Sequence, residues 1–413
     1  MLFVFLLISI LIIIIQYRRE KNWLNLSSLF IVPYLVLVSI NNIIIYRFGF
    51  YQISDSVLLM LTCAFSLFYI GSRVFVVNSN TLIKEQDNEE RFAEYDIDTM
   101  TIFLYIVAIA GLIKAFIMFR NGQFAATTIS DVEGTISRGI VGHLLLASYS
   151  VLPIVFLYWT YIKKLKYIIP VLGIFLVSFA TFIKYNIIGI FVSLFIFLII
   201  YKKSVIKIAV IILVTAAVGI FFVNYAVVFY IRGVFSNATT QFYLEHLWTY
   251  MCGSLIYDNY IFTNGVRVGV GISYKLMTFL CALPNMFIGK LFNIKLFPHM
   301  RQPDMLTASH GVTSNVVDSI GYLFPSKGSL FDLLLFGIVF LTIGALFSYI
   351  YRRNMKNNRK FNTFIANFLC YFVFFSFFGT FYVQSGPWEI LVYSLILPNL
   401  LYKRKIRFRW GKY

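Results

Sequence analysis

Apolar stretches of about twenty residues, enough to cross a hydrocarbon core, recur along this chain and confine it to folds whose main solvent is lipid. Of its 413 residues 60% are hydrophobic and 13% charged, against about 45–50% and 25% in soluble domains. The stretches read as spans near 2–16, 26–46, 56–77, 99–119, 138–162, 167–183, 186–201, 205–230, 330–351, 361–383 and 389–402. The expected fold is therefore all-α, a polytopic integral membrane protein of about eleven transmembrane helices. The opening MLFVFLLISILIIII has neither a basic n-region nor a small-residue cleavage site, so it reads as a retained first helix.

The formal charge of +18 does not point to nucleic acid, because the basic residues sit in short runs between spans. One set of alternate connections holds Arg18, Arg19 and Lys21; Lys84 and Arg91; Lys163, Lys164 and Lys166; Lys202, Lys203 and Lys207; then Arg352, Arg353, Lys356, Arg359, Lys360 and the tail KRKIRFRWGK. The short loops of the other set hold only Arg47, Arg120, Arg138 and Lys184. Short basic loops stay cytoplasmic, so the N-terminus is expected outside and the C-terminus inside, with the tail against anionic headgroups. The chain then divides into an eight-helix bundle (1–230), a large outer loop (231–329), and three spans with a basic tail (330–413).

Within the outer loop, GISYKLMTFLCALPNMFIGKLF (271–292) is apolar enough to compete as a further span. Pro284, Lys275 and Lys290 interrupt it, and a full crossing would invert every earlier loop against the charge rule. It reads as a re-entrant or interfacial helix pair that roofs a pocket. In SNATTQFYLEHLWTYMCGSLIYDNYIF, helical spacing of Leu244, Leu247, Met251 and Leu255 predicts an amphipathic helix on the membrane face. Its polar side would carry Glu245, Tyr250 and Asp258, with Trp248 and Tyr257 at headgroup level.

The residues that could do chemistry gather in the same loop. Arg232, followed by Gly233, ends the eighth span at the outer mouth, where a guanidinium can bind phosphate bidentately or simply snorkel. The segment LFPHMRQPDMLTASHGVTSNVVDSIGYLFPSKGS brings His299, Arg301, Asp304, His310, Asn315 and Asp318 together; its prolines and glycines forbid one continuous helix. The H-x10-H of His299 and His310 is not a zinc spacing, and neither metal nor cofactor is expected. Lys114 lies near the outer end of the fourth span, an expensive place for a charge, with Arg120, Arg138 and His143 flanking the next outer loop. Asp96-Ile97-Asp98 looks like the D-x-D of metal-dependent sugar transferases, but it falls in an acidic inner loop where such pairs arise easily. Four cysteines make no framework, Cys252 and Cys281 being the pair outside the spans.

Many spans, one large outer loop before the last helices, Arg232-Gly233 at its start and the Gly-rich stretch around Asn315 at its end resemble the Wzy-type O-antigen, or oligosaccharide repeat-unit, polymerases. The layout covers most of the chain; the motif likeness covers Arg232-Gly233 and about residues 301–351. That family often places an Asp with Gly spacing before the following span, whereas here Pro325-Ser326-Lys327-Gly328 intervenes and Asp332 comes later.

The resemblance implies a fold similar to lipid-dependent (GT-C-like) glycosyltransferases. It also implies joining of undecaprenyl-pyrophosphate-linked oligosaccharides into O-antigen, capsule or exopolysaccharide, on the outer face of a bacterial inner membrane. Membrane lipids, a flippase and a chain-length regulator would be its partners. Arg232 and Arg301 would then meet the pyrophosphates, with Arg138, Lys114 and Arg120 behind them. His310, or second to it Asp318, would take the acceptor proton, and Asn315 and Tyr250 would hydrogen-bond sugar. Two other readings stay open: an exporter of lipid-linked oligosaccharide, and an O-antigen ligase using the same donor.

Overall fold

A computed structural model describes residues 1–75, 88–121, 139–181, 184–202, 237–264, 272–292, 294–298, 306–309, 312–314, 317–324, 330–355 and 360–402. Almost all of this is helix. In chain order the α-helices are α1 (Leu2–Glu20), α2 (Leu26–Ile43), α3 (Asp55–Ser72), α4 (Asn88–Ala93), α5 (Ile97–Arg120), α6 (Gly139–Ile162), α7 (Leu165–Ala180) and α8 (Lys184–Tyr201). They continue with α9 (Asn237–Asn264), α10 (Ile272–Phe292), α11 (Ser319–Leu323), α12 (Leu330–Met355), α13 (Thr363–Phe368) and α14 (Ser385–Leu400). One small antiparallel hairpin, β1 (Leu306–Ser309) with β2 (Val312–Ser314), packs on α9.

Among the described residues six helices (α1, α2, α3, α5, α6 and α12) are long and apolar enough to cross a membrane. Shorter apolar helices, including α7 and most of α8, fall where spans are expected. The expected span 205–230 lies outside the described residues.

By contacts the chain gathers into two compact units. One compact unit joins residues 1–82, 218–357 and 368–388; the other joins 83–217, 358–367 and 389–413. Residues 218–357 thus belong to the same body as the first three helices.

Within the first unit, helix ends that the charge rule assigns to one side meet each other. On the basic side the Tyr351 hydroxyl donates to the Leu24 carbonyl (2.9 Å) and Ser348 to that of Phe75 (2.9 Å). On the opposite side Trp248 Nε1 donates to Asn41 Oδ1 (3.0 Å), and the Ser54 amide donates to Asn259 Oδ1 (2.8 Å). The helices α3 and α12 run together at glycines: a methyl on Gly71 would lie 2.0 Å from the Leu341 carbonyl oxygen, and one on Gly344 would lie 2.2 Å from that of Phe68. Small residues let two backbones approach this closely where lipid supplies no hydrophobic drive.

The second unit closes at its basic end around aromatic rings. Phe361 meets Phe92 and Tyr95, and its amide donates to the Tyr95 hydroxyl (3.0 Å). Asn88 donates to the Tyr201 carbonyl (2.8 Å) and to the Tyr161 hydroxyl (2.9 Å). Here the D-x-D is structural: Asp96 caps α5 by accepting from the Thr99 amide, and Asp98 pairs with Lys166 at 2.9 Å.

Three expectations need correction. First, α9 does not lie on a surface with a polar face outward. Cys252, Ser254, Leu255, Ile256, Tyr257 and Asp258 are all buried, so the helix is enclosed on every side along that stretch, and Trp248 is half-buried with its Nε1 bonded to Asn41.

Second, 271–292 forms one helix followed by a return, not a helix pair. Asn285 exchanges two bonds with Leu296 (2.6 and 2.7 Å), and the Tyr274 hydroxyl donates to the Pro298 carbonyl (3.1 Å). Six residues after α10 ends, the chain is therefore back beside the beginning of that helix.

Third, 361–383 is not a continuous span. After α13 the backbone widens into a π turn (Leu369–Val373), tightens to 3₁₀ (Phe374–Phe377), breaks, and resumes as a 3₁₀ turn at Phe381–Val383.

Candidate functional site

A helix that unwinds exposes carbonyls that lipid cannot satisfy, so irregular backbone survives at depth only where protein covers it. π turns inside helices are frequent at functional sites. Here the freed carbonyls are taken up by side chains of the same unit. Tyr34 of α2 donates to Ser376 O (2.9 Å), Ser254 of α9 to Phe377 O (2.5 Å), and Ser319 of α11 to Gly379 O (2.9 Å). Tyr382 reciprocates by donating to Ser319 O (2.7 Å). Tyr250, expected to hydrogen-bond sugar, lies half-buried with its ring 4.8 Å from that of Phe378. Helices α9 and α11 are thereby tied to the backbone break.

Beneath these bonds sit two enclosed carboxyls. Asp318 is the N-cap of α11, its Oδ1 accepting from the Gly321 amide at 2.5 Å, and it has no exposure. Asp258 approaches the same turn so closely that a methyl on Gly321 would fall 1.9 Å from its Oδ1. Neither oxygen of Asp258, nor Oδ2 of Asp318, meets an N–H or hydroxyl donor among the described residues. They face one another.

Two carboxylates sealed together cannot both stay charged, and a proton held between them converts repulsion into a hydrogen bond. Burial above all, then the neighbouring Asp318, pushes Asp258 well above the usual carboxylate range. Burial pushes Asp318 up to about 6, against the pull of its cap bond to Gly321. Lys275 of α10, itself buried, donates to the Phe324 carbonyl (3.0 Å), lies 5.6 Å from the Tyr322 ring centre, and its charge acts on Asp258.

Asp318, the second choice for taking the acceptor proton, is placed as a buried cap beside a second acid. Lys114 is half-buried on α5 and Arg120 exposed at that helix's end, both in the second unit. Arg232, Arg301, His310, Asn315 and Arg138 lie outside the described residues.

The second unit holds a polar constellation that the sequence reading did not assemble. Nδ1 of His143, near the start of α6, lies 2.6 Å from Glu389 Oε1 near the start of α14, and the Tyr393 hydroxyl donates to the same oxygen (3.0 Å). The Glu389 side chain is 6% exposed and the His143 ring 39%. Glu389 is the one charged residue of α14, and an ionisable group in an apolar helix is itself a signal that could have singled it out. No group of three metal-ligating side chains occurs among the described residues, and all four cysteines are free. Compared with known protein families, curated proteins and solved structures, the chain matches none.

Proposed function

We propose that this chain is a polysaccharide polymerase that takes its donor from a lipid pyrophosphate at the outer face of a bacterial inner membrane. The observation that carries the reading is the stitching of the outer segment into the broken span through Ser254 and Ser319. A loop serving only as a connection has no need of a protein-covered, polar-lined backbone break. A surface where a water-sensitive glycosyl donor meets an acceptor does, because its donors must be fixed before charge develops. Charge asymmetry puts that segment outside, where nucleotide sugars are absent and the leaving group is lipid pyrophosphate. Arg232 and Arg301 are its expected counter-charges.

The test is chain length. Arg232→Ala and Arg301→Ala are expected to insert normally, while polymerisation drops on the order of 10²–10³-fold, the scale of losing one preorganised donor to a developing anion. Electrophoresis of the surface polysaccharide would then show single repeats in place of a ladder. Full-length chains from both variants would remove the arginines from the site.

Orientation is tested separately by cysteine labelling in spheroplasts. An impermeant maleimide should modify Lys295→Cys, in the return after α10, and spare Lys166→Cys until lysis. The reverse pattern would put the outer segment inside.

A second reading, an exporter of lipid-linked oligosaccharide, draws support from the discontinuous span, a feature transporters use to build substrate sites. Loss of all displayed repeats, instead of loss of length, on deleting the chain would favour it. Transfer of repeats onto a lipid A core would favour the ligase.

A further inference from the structure

We propose that one face of α10 is seated among the acyl chains of the outer leaflet, so that lipid is the partner of this helix. The inference is independent of the polymerase reading and starts from a polarity turned inside out. Between Ile272 and Ile288 the one charged residue is Lys275, and it is 2% exposed. Thr278, Ala282 and Met286 continue its buried side at helical spacing. The opposite stripe is Met277, Leu280 and Phe287, with Leu280 61% and Phe287 53% exposed. A helix standing in water shows the reverse, with its apolar face in and its charges out. An apolar surface left outside in this way marks a contact with protein or with membrane.

The neighbours of α10, all in the same compact unit, decide for membrane. Lys275 holds the Phe324 carbonyl (3.0 Å), and the Phe324 ring lies 5.3 Å from that of Phe336. Phe336 is the seventh residue of α12, about 9 Å below its outer end at 1.5 Å per residue. Interfacial helices sink their apolar side by about 5–10 Å, which is the same depth. At that level α12 itself shows hydrocarbon: Leu330, Phe331, Leu334 and Ile338 are exposed on a helix long and apolar enough to cross. Because α10 packs directly on α12, its stripe extends that lipid-facing surface. Further along, Phe279 meets the rings of Tyr382 (5.4 Å) and Trp388 (6.2 Å), so the buried side rests on the end of the broken span and the start of α14. The return after α10 adds Leu296 and Phe297, also exposed and held to the helix through Asn285 and the Tyr274 ring.

The experiment uses the purified full chain in phospholipid nanodiscs, with Cys63→Ser and Cys281→Ser so that no accessible native thiol competes for label. A nitroxide is attached at Leu280→Cys or Phe287→Cys. Ile338→Cys on α12 is the lipid-facing reference, and Lys164→Cys, exposed at the basic end, is the aqueous one. Collisions are counted with oxygen, which partitions into hydrocarbon, and with a nickel chelate, which stays in water. Leu280 and Phe287 should match Ile338, with an oxygen-to-nickel ratio several-fold above that at Lys164. Phe287→Trp, which keeps an aromatic ring, covers the case in which the labelled forms fail to fold. Its fluorescence in excess of the parent chain should be quenched by lipids brominated on the acyl chain and spared by iodide.

Nickel collisions at both stripe positions as frequent as at Lys164, or quenching of Phe287→Trp by iodide instead of bromine, would put the stripe in water and overturn the proposal. Shielding from both reagents, with neither quencher effective, would mean that protein covers α10, a second copy of the chain being one such cover. That result removes lipid as its partner just as surely.

Discussion

Gly344→Ala is expected to lower the stability of the detergent-solubilised protein by about 2–3 kcal/mol, and Gly71→Ala by a similar amount. Each new methyl would meet a backbone carbonyl oxygen of the facing helix, at 2.2 and 2.0 Å. Backbone in mid-helix cannot swing aside as a side-chain tip can, so α3 and α12 must part. Once parted for one methyl they have room for the other. The double variant should therefore cost clearly less than the two singles added, the non-additivity of neighbours that share one contact. Gly337→Ala on the same helix is the control: its methyl meets only a Leu67 side-chain carbon, at an ordinary 3.6 Å, and alanine favours helix. Thermal unfolding followed by tryptophan fluorescence would rank the variants. Equal melting of Gly344→Ala and Gly337→Ala would show that the helices are not in glycine contact.

The second large effect is a dependence on pH. Both acids of the Asp258–Asp318 pair bind protons more tightly in the folded chain than an exposed carboxyl does. Stability from that pair is complete below the unfolded carboxylate pKa near 4. It is lost as pH rises, through about 6 for Asp318 and on to higher pH for Asp258. The loss from Asp318 alone is on the order of 3 kcal/mol. Asp258→Asn, nearly the same shape and able to donate to its partner, should flatten this fall: similar to wild type at pH 4, more stable at pH 8. The buried Lys275 and the hydroxyls of Tyr34 and Tyr382 surround the pair in both proteins. Parallel melting profiles of the two proteins across that range would sink the shared-proton account.

Why some of this could be read in the sequence and some could not follows from what each feature depends on. Helices α1, α2, α3, α5, α6 and α12 stand where apolar runs placed them, because a run of that length has one stable form in lipid. The break in FLCYFVFFSFFGTF was hidden for the opposite reason. Nothing local forces the chain open at Ser376 to Gly379; hydroxyls from Tyr34, Ser254 and Ser319, distant in sequence, make opening tolerable. Asp258 was visible as a polar position on α9, but spacing cannot tell whether such a residue faces water or another buried acid. Glu389 carried a signal in its very isolation, and only the fold could supply His143 as its partner.

The donors that close the backbone of the broken span all come earlier in the chain than the carbonyls they serve. During synthesis Tyr34, Ser254 and Ser319 leave the ribosome before residues 376–379 do. When that aromatic stretch is made, every hydroxyl that will serve these carbonyls is already part of the chain.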